Sequence, residues 1–204
     1  EHPQEKLSHY SKKTIDLEYK FPFGFKELYG LANRTDFDLT QHAKFSGEKL
    51  EYYDSEKDEK YVPHVLEPTF GVDRSFLVAL TSAYNEEETE EGSRVVMKFP
   101  KYLAPVKVAV FPLLKNKPKL VDKAKEIYAQ INGSFVTEYD ESGSIGKRYR
   151  RQDEIGTPYC LTIDFDSLEN NDVTVRDRDS MKQERIKIEE LKNYLKEKLN
   201  ENVL

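Results

Sequence analysis

Residues 67–74, EPTFGVDR, are where residue types and spacing could do chemistry. Arg74 opens a segment, FLVAL at 76–80, that is apolar on nearly every face and reads as a buried helix following Gly71. A guanidinium in the first turn of such a helix is opposed by desolvation and by the positive end of the helix dipole. It therefore needs an anion. An internal carboxylate, Asp73 or Glu67, would serve, and so would the phosphate of a bound nucleotide, which suits both helix N-termini and arginine. Glu67 ends a strand just before Pro68, and Glu27 sits inside a second strand, FKELYGL at 25–31. Acids within otherwise apolar strands are uncommon. Two of them on adjacent strands could hold an amine or a metal ion bound to phosphates, or each could face solvent on a half-exposed sheet.

A second candidate is basic. Lys147, Arg148, Arg150 and Arg151 surround Tyr149 on a helix expected over 145–155 and closed by Gly156. Arginine–phosphate contacts and base–aromatic stacking are the usual means of reading unpaired RNA. The competing reading is a solvated helix face balanced by Asp153 and Glu154. Other signals fail. GSIGK at 143–147 looks like a phosphate loop, but positions 141 and 148 are Glu and Arg where the Walker pattern needs glycine and Ser/Thr. His9, His42, His64 and Cys160 lack metal-ligand spacing, so no zinc site is expected. Cys160 lies in an apolar strand and reads as core, and a single cysteine excludes a disulfide framework.

The elements that must position these residues fall into two groups. Strands are expected at 14–20, 25–31, 50–53 and 61–66, with helices at 36–45 and 76–80. Residues 85–93, with five glutamates in nine positions, read as a solvated loop. A strand at 94–99 and a linker at 100–105 then place a domain boundary between residues 99 and 100. Beyond it, strands at 106–111, 134–139, 159–165 and 173–175 alternate with helices at 119–131 and 145–155. Ser180 and Gln183 form a candidate capping box before a last helix with Ile188, Leu191, Leu195 and Leu199 on one face. The expected fold class is α/β (α+β): an antiparallel sheet in 1–99 and a mixed sheet flanked by helices in 100–204.

Composition bounds the partners. Of 204 residues, 32 are Lys or Arg and 38 are Asp or Glu, for a net charge of −6. Residues 1–97 carry −8 and residues 98–204 carry +2, which suggests two units with different partners. The acidic total argues against non-specific DNA binding. No apolar run approaches the roughly 20 residues of a membrane helix, and the polar N-terminus shows no signal peptide. The chain begins at Glu1 rather than methionine, so a cut chain is expected.

Residues 67–74 resemble motif 3 of class II aminoacyl-tRNA synthetases: a strand, a glycine, then an arginine opening an apolar helix. The blocks FPFGFKELYGLANRTDFDLTQH, YVPHVLEPTFGVDR, APVKVAVFPL, GSIGKRYRRQDEIGTPYCLTIDFDSL and VRDRDSMKQERI are similar to the glycyl-tRNA synthetase family of the homodimeric type. The resemblance runs from about residue 9 to 195. It implies the end of a class II catalytic domain followed by an anticodon-binding domain. By matching position, Glu67, Pro68, Thr69, Phe70 and Gly71 would line a glycine pocket, with Glu67 holding the α-ammonium or ATP-bound magnesium. Gly71, Val72, Asp73 and Arg74, with Glu27 and Leu28 on the preceding strand, would contact ATP. Catalytic roles would fall to Arg74 and Glu67, and anticodon contacts to Lys147, Arg148, Arg150 and Arg151.

The family usually has serine where this chain has Thr69, which keeps the hydroxyl and adds a methyl to a pocket that selects by steric exclusion. The resemblance further implies ATP with Mg²⁺, glycine and tRNA(Gly) as partners, a homodimeric parent and a cytoplasmic setting. Motifs 1 and 2 are not found, so the chain alone is expected to be inactive. The rival expectation is a non-catalytic, synthetase-like accessory protein that binds nucleic acid.

Overall fold

The computed structural model describes residues 1–89 and 92–200. They form two compact units, Glu1–Thr81 and Ser82–Leu204.

The first unit is antiparallel. Strands β1 (Lys13–Phe21) and β2 (Gly24–Asn33) form a hairpin, followed by α1 (Phe37–Ser46), the short hairpin β3 (Tyr52–Asp54) and β4 (Glu59–Tyr61), β5 (Leu66–Phe70) and α2 (Val72–Ala83). The sheet order is β1-β2-β5. The strand expected at 61–66 is displaced: the chain pairs at β4 and again at β5, with Pro68 inside a strand rather than breaking one. Among the described residues β5 pairs only with β2, and an edge strand is where a sheet accepts proline.

The helix expected at 76–80 forms, but it is not buried, because a three-stranded sheet cannot cover an element apolar all round. Phe76 and Val72 are 65% and 80% exposed. Within the first unit Phe21 alone among the described large apolar side chains is buried, while Leu17, Phe23, Phe25, Leu66 and Phe70 stay mostly exposed.

The second unit opens with the hairpin β6 (Tyr84–Thr89) and β7 (Gly92–Met97). It continues through β8 (Val108–Pro112), α3 (Pro118–Asn132), β9 (Thr137–Tyr139), α4 (Ile145–Ile155), β10 (Tyr159–Ile163), α5 (Phe165–Asn170), β11 (Asp172–Asp177), β12 (Gln183–Lys187) and α6 (Ile188–Asn200). The sheet order is β12-β11-β10-β8-β9, with β8 parallel to β9 and β10, and β11 antiparallel to both its neighbours. Strands β8 and β10 are buried at every position, as continuous apolar runs in a covered sheet require. Leu120, Ala124, Ile127 and Ile131 of α3, and Ile188, Leu191, Leu195 and Leu199 of α6, close the core.

Three expectations change here. The glutamate-rich stretch is not a loop: residues 84–89 and 92–97 are paired strands, and Glu90 and Glu91 lie outside the described residues. Burial alternates along β6, so Glu87 turns inward and accepts from Arg94 Nε at 2.7 Å while also pairing with Lys98. This hairpin belongs to the second unit, which therefore begins at Ser82 rather than residue 100. Arg94 explains why: it is 2% exposed and donates to Asp153 of α4 and to the Arg178 carbonyl, both at 3.1 Å. Finally, Ser180 and Gln183 cap no helix, because Gln183 begins β12 and Ser180 bonds Asp177 in a turn. The capping box is Asp164 with Ser167, which opens α5.

Candidate functional site

Register sets the site on the first unit. Gly30 pairs with Thr69, and Ala32 with Glu67. Side chains two apart on a strand share a face, so Glu67 and Thr69 stand together beside Gly30 and Ala32, two small residues of β2. Glu27, three residues before Gly30, would point to the opposite face in a regular strand. A β-bulge prevents this. Leu17 pairs with Tyr29 but Glu18 pairs with Glu27, which leaves Leu28 as the extra residue. Bulges re-aim side chains, and Glu27 Oε1 comes to 3.7 Å from where a Cβ on Gly30 would stand.

Arg74 joins this face from the first turn of α2. Its Nη1 donates to the Glu27 carbonyl at 2.5 Å and lies 3.4 Å from Glu27 Oε2. Gly71 makes room for the arginine stem, since a Cβ there would meet Arg74 Cβ and Cδ at 3.4 Å. The Tyr29 and Ser75 hydroxyls share a 2.9 Å hydrogen bond that fastens α2 to β2. The anion expected for Arg74 is thus neither Asp73 nor Glu67 but Glu27, and the arginine is half exposed rather than buried.

Glu67 is held from the other side. Its Oε2 accepts from Arg34 Nη1 at 2.7 Å, and Arg34 donates through Nε and Nη2 to Asp38 at 2.6 and 2.9 Å. Hydrogen bonds from Arg34 hold the Asp38 carboxyl below its ordinary range, and those to Asp38 and Glu67 push the Arg34 guanidinium up. Phe70 packs its ring edge-on against Tyr29 at 4.9 Å. Val72 and Asp73 lie exposed in the first turn of α2. Nothing in the sequence reading singled out Arg34 or Gly30. Both sit in readable places, a glycine inside a strand and an arginine four residues before an aspartate at a helix start. Among the described residues no three His, Cys, Asp or Glu side chains cluster closely enough to hold a metal ion. A magnesium ion at Glu67 would therefore draw most of its ligands from phosphate oxygens.

On the second unit, α4 forms as expected, and Gly156 ends it in the left-handed region with φ 86°. A Cβ there would stand 2.6 Å from Phe99 Cδ2 and 2.7 Å from the Met97 carbonyl, so only glycine fits. The four basic residues separate. Lys147 is exposed. Arg151 is exposed, pairs with Asp140 and donates to the Ser142 carbonyl at 2.8 Å. Arg150 is half-buried, with Nη1 3.5 Å from Asp153 Oδ2.

Arg148 departs from the expectation. It is 1% exposed and donates to the carbonyls of Pro112, Gly143 and Ser142. Burial lowers its guanidinium from the ordinary value. It pins the 142–143 turn to the end of β8 and offers nothing to a ligand. Tyr149 is likewise occupied: its hydroxyl and that of Thr162 share a 2.6 Å bond, and the Arg176 guanidinium covers its ring at 4.8 Å. Beside the start of α4 a groove of about 740 Å³ is lined by Ile145, Gly146, Arg150, Arg176, Met181 and Gln183, among others. Cys160 is buried and its thiol is pushed up by that burial, as befits core.

Residues 107–198 match the family described as anticodon binding domain. Over 200 residues, 98% of its length, the chain is 58% identical to a glycine–tRNA ligase of Clostridium acetobutylicum. It is 58% identical over 201 residues to that of Acetivibrio thermocellus and 56% identical over 201 residues to that of Staphylococcus epidermidis. The chain spans about 43% of the length of each of these curated relatives.

Proposed function

We infer the role of this chain from one premise: residues 107–198 belong to the anticodon binding domain family, within a chain similar along 98% of its length to glycine–tRNA ligases. The reading is that of a C-terminal portion of such a ligase, which joins glycine to ATP, releases pyrophosphate and passes the glycyl group to the 3′ end of tRNA(Gly). The observation that carries it is the convergence of Glu27, Glu67, Thr69 and Arg74 beside Gly30 on one sheet face. Such a face offers a carboxylate to an α-ammonium, a hydroxyl beside it and a guanidinium to phosphate.

In this reading Glu67 and Thr69, with Pro68, Phe70 and Gly71 around them, receive glycine. Glu27, Leu28 and 71–74 receive ATP, and Arg74 stabilises negative charge on its phosphates. Magnesium carried by ATP would neutralise charge on the same oxygens. Lys147, Arg150 and Arg151 face tRNA. Discrimination against larger amino acids is steric, and the Thr69 methyl takes part in it. The parent is a cytoplasmic homodimer. The chain alone does not form adenylate, because the α-phosphate arginine of motif 2 has no counterpart in it. The apolar side chains left exposed on the first unit support a surface that packs against further protein.

The test has two arms. The isolated chain should bind tRNA(Gly) but show no glycine-dependent ATP–pyrophosphate exchange, and a full-length ligase carrying it should show both. Exchange by the isolated chain would refute the division of labour. Equal affinity for all tRNAs would refute the anticodon reading.

A further inference from the structure

The fork of Arg34 is divided between two carboxylates that do different jobs. Nε and Nη2 go to Asp38 at 2.6 and 2.9 Å, a bidentate pair. Nη1 goes to Glu67 Oε2 at 2.7 Å. The Tyr10 ring lies against the guanidinium, 4.1 Å from Cζ, and fixes its plane. Arg34 and Asp38 are each only about one-fifth exposed at the side chain, whereas Glu67 is 44% exposed. The buried end of the trio is thus the arginine with Asp38, and the open end is Glu67. Among the described residues Glu67 Oε1 has no partner.

Charge accounting gives the arrangement its sense. A guanidinium placed against Glu67 alone would cancel its charge and leave it a poor partner for a cation. Asp38 cancels Arg34 instead, so the trio keeps one negative charge, directed by Arg34 but not consumed by it. Lysine could not do this, because one ammonium cannot offer a planar fork in two directions.

We propose that Arg34 is a positioning residue that presents Glu67 Oε1 to the α-ammonium of the amino acid, and that Asp38 keeps Glu67 electrostatically free to receive it. This rests on the glycine-site reading above. Arg34 touches neither substrate nor ATP in this scheme and acts only through Glu67.

The experiment compares Arg34→Lys, Asp38→Asn and Glu67→Gln in the full-length ligase by glycine-dependent ATP–pyrophosphate exchange, with a thermal melt of each. Losing one charge-assisted hydrogen bond predicts a rise of about 10-fold or more in the KM for glycine. The KM for ATP should be unchanged in Arg34→Lys and Asp38→Asn. Asp38→Asn keeps the Arg34–Glu67 contact, so it decides the matter if Arg34→Lys melts early. If Asp38→Asn and Arg34→Lys lower melting temperature without moving the KM for glycine, the pair is structural and the proposal is overturned. If Glu67→Gln also leaves that KM unchanged in an active enzyme, the glycine-site reading itself has failed, a distinct outcome.

Discussion

Gly30 and Thr69 face each other across β2 and β5, and a Cβ on Gly30 would stand 3.9 Å from Thr69 Cβ. That is ordinary contact, so the fold has room for alanine there. A glycine inside a strand costs about 0.5–1 kcal/mol relative to alanine. Gly30→Ala is therefore expected to hold or slightly raise the melting temperature while impairing glycine-dependent exchange in a full-length ligase. Unimpaired exchange would mean that nothing binds over Gly30. Gly156→Ala is the contrast: its Cβ would sit 2.7 Å from a backbone oxygen at positive φ, and loss of the folded second unit by circular dichroism is the expected result.

Arg148→Ala should act on stability rather than on RNA. It strips donors from three carbonyls, those of Pro112, Ser142 and Gly143, and about 3 kcal/mol of lost stability is expected. Arg151→Ala removes an exposed ion pair and should cost no more than about 1 kcal/mol. The tRNA effect is expected from Lys147→Ala and Arg151→Ala, each lowering the salt slope of tRNA binding by roughly 1. Denaturant melts and salt-titrated binding separate the two classes.

Asp153 is fully buried between Arg94 at 3.1 Å and Arg176 at 2.9 Å. Asp153→Asn leaves the buried Arg176 guanidinium without its carboxylate and Arg94 with Glu87 alone, and about 3–5 kcal/mol of destabilisation follows. Chemical denaturation of the full chain measures it. A change below about 1 kcal/mol would mean that the arginines find other partners.

Acid should unfold the second unit in a definite window. Glu87 is held below its ordinary range by its bond from Lys98 and then Arg94, in spite of burial. In Asp140, Asp164 and Asp177 burial pushes upward but is outweighed by Arg151, by Ser167 with Arg185, and by Ser180 respectively. Each folded value is depressed, so the unfolded chain takes up protons first. Stability is complete above about pH 5 and falls as pH drops through the unfolded and then the folded values. The four histidines all lie at or before position 64, so melts of this unit should be flat from about pH 7 to pH 5.

Much of this was legible because periodicity is local. The α3 and α6 core residues follow from helical spacing, and β8 from its apolar run. Residues that matter through pairing were not. The bulge at Leu28 depends on register with β1, and without it Glu27 has no assigned face. The hairpin at 84–97 was hidden because five glutamates read as solvated until Arg94, opposite Glu87, and Lys98 are seen to pair with it. Arg148 misled for the same reason: charge on a helix suggests an outer face, and only the turn at 142–143 and the end of β8 explain an inward one.

The reach of Arg94 into α4 has a consequence for modularity. The segment recognisable by family, 107–198, is shorter than the compact unit that contains it, which begins at Ser82. Cutting at residue 100 would delete the strand that supplies Arg94, expose Asp153 and uncover the close seat of Gly156 against Met97 and Phe99. A transplanted domain would need to carry its leading hairpin, from Ser82 onward, as part of its own structure.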